Sequence, residues 1–138
     1  MKDKKLEENI KKAGHFIEIW NKFHDIFENA TSREYVDESG EKEFLSTKTL
    51  VSSRYEDLMD SLGVKPLKRF IINPSLYNIL SLDNLSIMSD EKLKTVGKDW
   101  NESCRFLTAL QKRLESKKRR LKDFNKFAFV VKNKMRRK

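Results

Sequence analysis

From Leu6 onward the apolar residues return at every third or fourth position, as Leu6, Ile10, Ala13, Ile17, Trp20, Phe23, Phe27 and Ala30. That is the spacing of one face of an α-helix. It predicts a first helix over about residues 3–30, closed by "NATS", whose short polar side chains compete for backbone hydrogen bonds. A second stripe, Val51, Tyr55, Leu58 and Leu62, predicts a helix over about residues 47–62. Gly63, able to take a left-handed cap, and Pro66 mark its end. Between the two, "REYVDESGEKEFLS" sets "DESG" between the β-prone pairs Tyr35-Val36 and Phe44-Leu45. A small β-hairpin near 35–45 is the expectation, inside a turn region over 31–46. Pro66 and Asn73-Pro74 then open short helices within 66–82. Their Phe70, Ile71, Ile72, Leu76, Tyr77, Ile79 and Leu80 are expected to pack onto the first two helices.

The strongest periodicity comes last. Ser89 reads as an N-cap, with Asp90 and Glu91 in the first turn, where negative charge favours the free N–H groups. Every seventh residue follows as Leu93, Trp100, Leu107, Leu114, Leu121, Ala128 and Met135; three on from the first six lie Val96, Ser103, Leu110, Lys117, Phe124 and Val131. This is an a/d heptad seam with polar interruptions at Ser103 and Lys117. A continuous helix of that length reaches roughly 65–70 Å, so it must meet another subunit, fold back on the body, or project. Leu93, Trp100, Leu107, Leu110, Leu114 and Leu121 are the expected oligomer interface, and Cys104 is placed where the seam would bury it. Phe129 and Val130 fall off the stripe, so "FAFVV" marks a bend or end near Phe127, or a segment that pairs as a strand or apolar plug. The expected fold is all-α: a helical-bundle body over 1–88 and a long C-terminal heptad-patterned helix over 89–138.

Composition agrees. A chain of 138 residues with 38% apolar and 37% charged residues, four Gly and two Pro is of single-domain length and poor in turn material. Charge is distributed less evenly. The net +9 of the whole chain equals that of residues 115–138 alone, which carry eleven Lys or Arg against Glu115 and Asp123. Residues 18–60 lean the other way, with eleven acidic side chains against five basic ones.

For catalysis the inventory is thin. His15 and His24 stand nine positions apart, without the spacing of a paired metal site, and read as helix-face residues. Cys104 is the only cysteine and reads as a structural seam residue. The four glycines are isolated, so there is no phosphate-cradling loop. Asp37, Glu38, Glu41 and Glu43 offer oxygen ligands but lack the EF-hand spacing, and a solvated charged turn is the preferred reading. We therefore expect a non-enzyme with no cofactor and no metal. The unpaired cysteine, the charged N-terminus and the lack of any apolar run near the ~20 residues of a membrane span point to a cytoplasmic protein without a membrane partner.

What remains is the basic end. Lys117, Lys118, Arg119, Arg120, Lys122, Lys126, Lys132, Lys134, Arg136 and Arg137 put positive charge around much of a helix, interleaved with Phe124, Phe127 and Phe129. Lysine and arginine displace counterions from a phosphate backbone, so these residues are the candidate nucleic-acid contacts. DNA stands ahead of RNA as the partner. Two other uses stay open: a scaffold whose basic end docks an acidic protein surface such as residues 18–60 of a neighbour, and a small helical subunit of an RNA-binding assembly.

Residues from about Phe16 to Ile72 carry "FIEIWNKFHDIFENA", "REYVDESGEKEFLS" and "VSSRYEDLMDSLGVKPLKRF". This order resembles the small terminase subunits of tailed phages, in the group closing with Leu-Gly-aliphatic-x-Pro-x-x-Arg, here Leu62, Gly63, Val64, Pro66 and Arg69. The resemblance implies an oligomeric subunit that recognises packaging-site DNA and regulates the large motor subunit without catalysis of its own, in the host-cell cytoplasm.

Overall fold

The computed structural model describes residues 4–32, 35–86 and 88–136, with side chains through Asp123. It is all-α: α1 (Lys4–Thr31), α2 (Glu38–Ser61), α3 (Pro66–Ile72), α4 (Pro74–Leu80) and α5 (Asp90–Arg136). No strand occurs among the described residues. α1 is the central element, packed on one side by α2 and on another by α5, while α4 lies against α5 and α3 leans on α4.

The α1 stripe closes the core much as its periodicity requires, with Leu6, Ala13, Phe16, Trp20, Phe23, Phe27 and Ala30 buried. Two positions shift by one. Phe16 takes the inner place in preference to Ile17, and Asn9 replaces Ile10, its side-chain oxygen accepting from the Ser61 hydroxyl at the far end of α2. An aromatic cluster fills the centre. Phe23 stacks on Phe44 at 4.8 Å between ring centroids, Phe16 meets Tyr55 at 5.3 Å, and Trp20 meets Trp100 at 4.8 Å.

The expected hairpin over 35–45 is not formed; α2 begins at Glu38, nine residues earlier than the stripe from Val51 suggested. The "DESG" stretch is a helix start. Asp37, in extended conformation, caps the helix by accepting from the Gly40 N–H at 2.6 Å, and Glu38 and Glu41 occupy the first turn. Phe44 consequently points inward and is fully buried. At Gly40 α2 lies close against the end of α1, for a Cβ there would lie 3.4 Å from Ala30 Cβ.

α2 stops as the sequence indicates. Gly63 has φ +74, its N–H donates to the Asp60 carbonyl, and the Val64 N–H reaches back to the Met59 carbonyl at 3.0 Å. This paired arrangement satisfies the last carbonyls of the helix. Pro66 opens α3 and Pro74 opens α4, with the Asn73 side chain accepting from the Leu76 N–H. Leu76 and Ile79 of α4 are buried, but α4 lies chiefly against α5 and not against the first two helices as expected. Phe70, Ile71 and Ile72 are not buried: they lie on the surface at 57%, 74% and 39% exposure. The loop after α4 is drawn onto α2 by two long-range bonds, Lys48 Nζ to the Leu82 carbonyl (2.7 Å) and the Leu85 N–H to Glu41 Oε1 (2.8 Å).

α5 starts where Ser89 accepts from the Lys92 N–H. Its heptad seam packs inside the same chain. Val96, Trp100, Ser103 and Leu107 are buried, and Leu93, Leu110 and Leu114 are partly buried against the same cluster. The seam expected to join subunits is thus occupied by α1 in this structure, because Trp20, Phe23 and Phe27 supply the apolar surface that the a/d residues need. Leu121 is half-buried. Cys104 also departs from expectation and is exposed; Ser103 holds the seam position, its hydroxyl returned to the Asp99 carbonyl at 2.7 Å. The possible bend at "FAFVV" concerns residues whose side chains lie outside the described part; the backbone is helical through Arg136.

Candidate nucleic-acid interface

The packing of α5 on α1 fixes which way α5 faces. The two helices run antiparallel: Trp100 meets Trp20, Gln111 lies at Gly14, and Lys118 lies 3.9 Å from Glu7. With Trp100, Leu107 and Leu114 turned inward, the opposite side of the helix is the solvent side. On it stand Lys98, Arg105, Lys112 and Arg119, all exposed and each seven residues from the next. Seven residues advance a helix by ~10.5 Å and rotate it only ~20° short of two turns, so the four cations form one nearly straight row about 32 Å long. Lys126 continues the same count, but its side chain lies outside the described residues.

This row was invisible to a reading by charge density. Residues 1–114 are neutral overall, yet three of the four cations belong to them. The signal that finds the row is the heptad count itself, applied to Lys and Arg in place of the apolar residues. Among the described residues, none of the four is paired with a carboxylate; Arg119 makes only a long contact, 3.4 Å, with the Ser116 hydroxyl. Between Arg105 and Lys112 the surface dips, lined by Asn101, Cys104, Thr108 and Ala109, all with short side chains.

Of the residues assigned to nucleic-acid contact from sequence, Lys117, Lys118, Arg119, Arg120 and Lys122 are exposed on α5. They do not share one direction. Arg119 continues the solvent-side row with Arg120 and Lys122 to either side of it, whereas Lys117 and Lys118 flank the inner side, where Lys118 approaches Glu7. Lys132, Lys134 and Arg136 have side chains outside the described residues, and Arg137 lies outside them entirely.

Other candidate chemistry resolves into folding roles. Asp37 caps α2, Glu41 holds the Leu85 N–H, and Glu38 lies 3.2 Å from Lys42. His24 rests its ring on Trp100 at 4.7 Å and its Nε2 lies 3.2 Å from Glu28. With Asp25 these form a cluster of possible ligands, half-exposed to exposed and all on one helix. The Arg69 guanidinium is buried and clamps α3 to the end of α2, donating to Glu56, Asp60 and, at 3.0 Å, the Val64 carbonyl. The carboxylate hydrogen bonds hold its pKa above the usual arginine value. Tyr77 donates to Glu56 at 2.8 Å, and burial together with that bond raises its phenol. Gly63, Pro66 and Arg69, which carry the small-terminase likeness, therefore build a helix cap and an arginine clamp in this chain.

No described helix is long and apolar enough to cross a membrane. No protein-family model, curated protein or solved structure matches the chain.

Proposed function

We propose that this chain is a non-enzymatic DNA-binding protein that lays the solvent side of α5 along the phosphate backbone. The row Lys98, Arg105, Lys112 and Arg119 carries the reading, since these four cations, none paired with a carboxylate among the described residues, stand along one side of a helix packed on α1 and offer their charge to a polyanion. Arg120 and Lys122 add charge at its C-terminal end. Binding of this kind is driven by release of counterions, so it is insensitive to base sequence and steeply sensitive to salt. The narrower reading, a small terminase subunit that presents packaging-site DNA to a large motor subunit, rests on the resemblance of residues 16–72.

Fluorescence anisotropy with a labelled duplex, titrated across salt, tests the proposal. Six phosphate contacts give a log–log slope near −5. The double reversal Arg105→Glu, Lys112→Glu changes two exposed side chains outside residues 115–138, so folding should persist by circular dichroism. It should lower the slope by about 2 and weaken binding by ten-fold or more near physiological salt. Full affinity in that variant places the contacts elsewhere. Absence of any shift for the unaltered protein removes the DNA-binding reading and favours a basic end that docks an acidic protein surface.

A further inference from the structure

α3 is built inside out. Of its seven residues, the one buried is Arg69, while Leu67, Phe70 and Ile71 are 90%, 57% and 74% exposed. Residues 67, 70 and 71 share one side of a helix, and Arg69 points the opposite way. These apolar groups contribute nothing to the chain's own core, yet the helix that presents them is firmly held. Arg69 ties it to Glu56, Asp60 and the Val64 carbonyl; the Gly63 cap fixes its entry; Phe70 rests against Tyr77 with ring centroids 5.9 Å apart. The result is a fixed apolar shelf on the order of 400 Å², within the range of the largest patch on a typical monomer, which is often functional. A surface held in place before binding loses little freedom on binding.

We propose that this shelf docks an amphipathic helical segment of another protein, one whose apolar residues are flanked by carboxylates. The rim decides the sign. Lys65 and Lys68 are exposed beside the shelf; the neighbouring carboxylates Glu56 and Asp60 share the single charge of Arg69, so these five residues together keep one net positive charge. Pairing the shelf with itself in a second copy would bring the two lysine rims together, which is unfavourable. A lipid surface also offers apolar and anionic groups, but interfacial helices are usually far longer than two turns and anchoring takes more than one weak signal. Three apolar side chains at i, i+3 and i+4 match in scale the anchors by which one amphipathic helix seats on another surface. The shelf shares no residue with the α5 row, so it stands or falls apart from DNA binding.

The test is selection of displayed random 16-residue peptides on the full chain, with counter-selection on the double variant Leu67→Ser, Ile71→Ser. Both positions are exposed, so the variant should keep the wild-type thermal transition. Enriched peptides are expected to carry apolar residues three and four apart with net negative charge. They should bind the variant at least ~10-fold more weakly and weaken on Lys65→Glu, Lys68→Glu. Failure to enrich any peptide over the variant overturns the proposal, as does enrichment of basic or uncharged sequences. Two further arms overturn it toward another occupant: co-sedimentation with phosphatidylserine-containing vesicles lost in the Leu67→Ser, Ile71→Ser variant, or a dimer by light scattering that this variant abolishes.

Discussion

Replacing Trp100 with alanine removes the largest side chain by which α5 packs on the rest of the molecule. The indole is 3% exposed, and its ring centroid lies 4.8 Å from Trp20, 5.3 Å from Phe23 and 5.5 Å from Phe27. Truncating a buried tryptophan costs ~3–5 kcal/mol, and three aromatic neighbours argue for the upper part of that range. One feature lowers it. Among the described residues the buried Trp100 Nε1–H has no hydrogen-bond partner, a cost of ~1–3 kcal/mol that truncation relieves. The balance is a loss of about 3 kcal/mol. A chain of this length holds roughly 7–15 kcal/mol in all, so the variant stays folded while its thermal midpoint falls by about 10 °C.

Urea unfolding followed by far-ultraviolet circular dichroism, over a wide range of protein concentration, checks this value and the arrangement behind it. With the seam filled by α1 of the same chain, the wild-type midpoint is independent of concentration. If the heptad face instead joins two subunits, the midpoint rises with concentration by mass action. A Trp100→Ala loss below ~1 kcal/mol, or a concentration-dependent transition, would refute intramolecular packing and restore Leu93, Trp100, Leu107 and Leu114 to an interface between copies.

Removing the α2 cap with Asp37→Ala should cost about 1 kcal/mol in the same urea assay, and Asp37→Asn much less. Cys104, exposed beside Arg105, should react readily with a maleimide in the free protein and several-fold more slowly with saturating duplex DNA; unchanged reactivity contradicts contact along that face. Burial pushes the Tyr55 phenol up to about 12 from 10, so the native state retains a proton that the unfolded chain gives up. Stability should therefore fall as pH rises from about 10 to about 12, with Tyr77 acting in the same direction. Tyr55→Phe should flatten that fall.

The all-α class, the limits of α1 and the stop at Gly63 were legible because each rests on a local cause: a repeating apolar spacing, or a residue able to adopt φ +74. The hairpin was misread because Asp, Glu, Ser and Gly signal turns and helix starts alike. Only the inward demand of Phe44, which stacks on Phe23, decides for the helix. Cys104 was misplaced by a single position, and on a helix one position is a rotation of 100°. Periodicity located the α5 seam but is silent on whose surface fills it, since an a/d face is equally satisfied by α1 or by a second copy. The exposed α3 shelf defeated the apolar-inside rule because the bonds that fix this short helix come from Arg69 and leave its greasy side free.

These features are linked by rotation. A basic helix free in solution presents its charges in all directions, and each held near phosphate must be ordered at a cost. Packing of Trp100 and Leu107 against α1 removes the freedom of α5 to turn about its own axis, and so selects Lys98, Arg105, Lys112 and Arg119 as the outward residues. The core is in this sense part of the charged surface. A variant that loosens the seam without touching a cation, Trp100→Ala among them, should weaken salt-sensitive DNA binding only as far as it lets α5 rotate. The charge reversal at Arg105 and Lys112 should weaken it with the core intact. Loss of both stability and affinity in Trp100→Ala, beside loss of affinity alone in the charge reversal, is what a row of charge set by packing requires; full affinity in a Trp100→Ala protein whose seam has loosened would mean that the charge acts without a fixed direction.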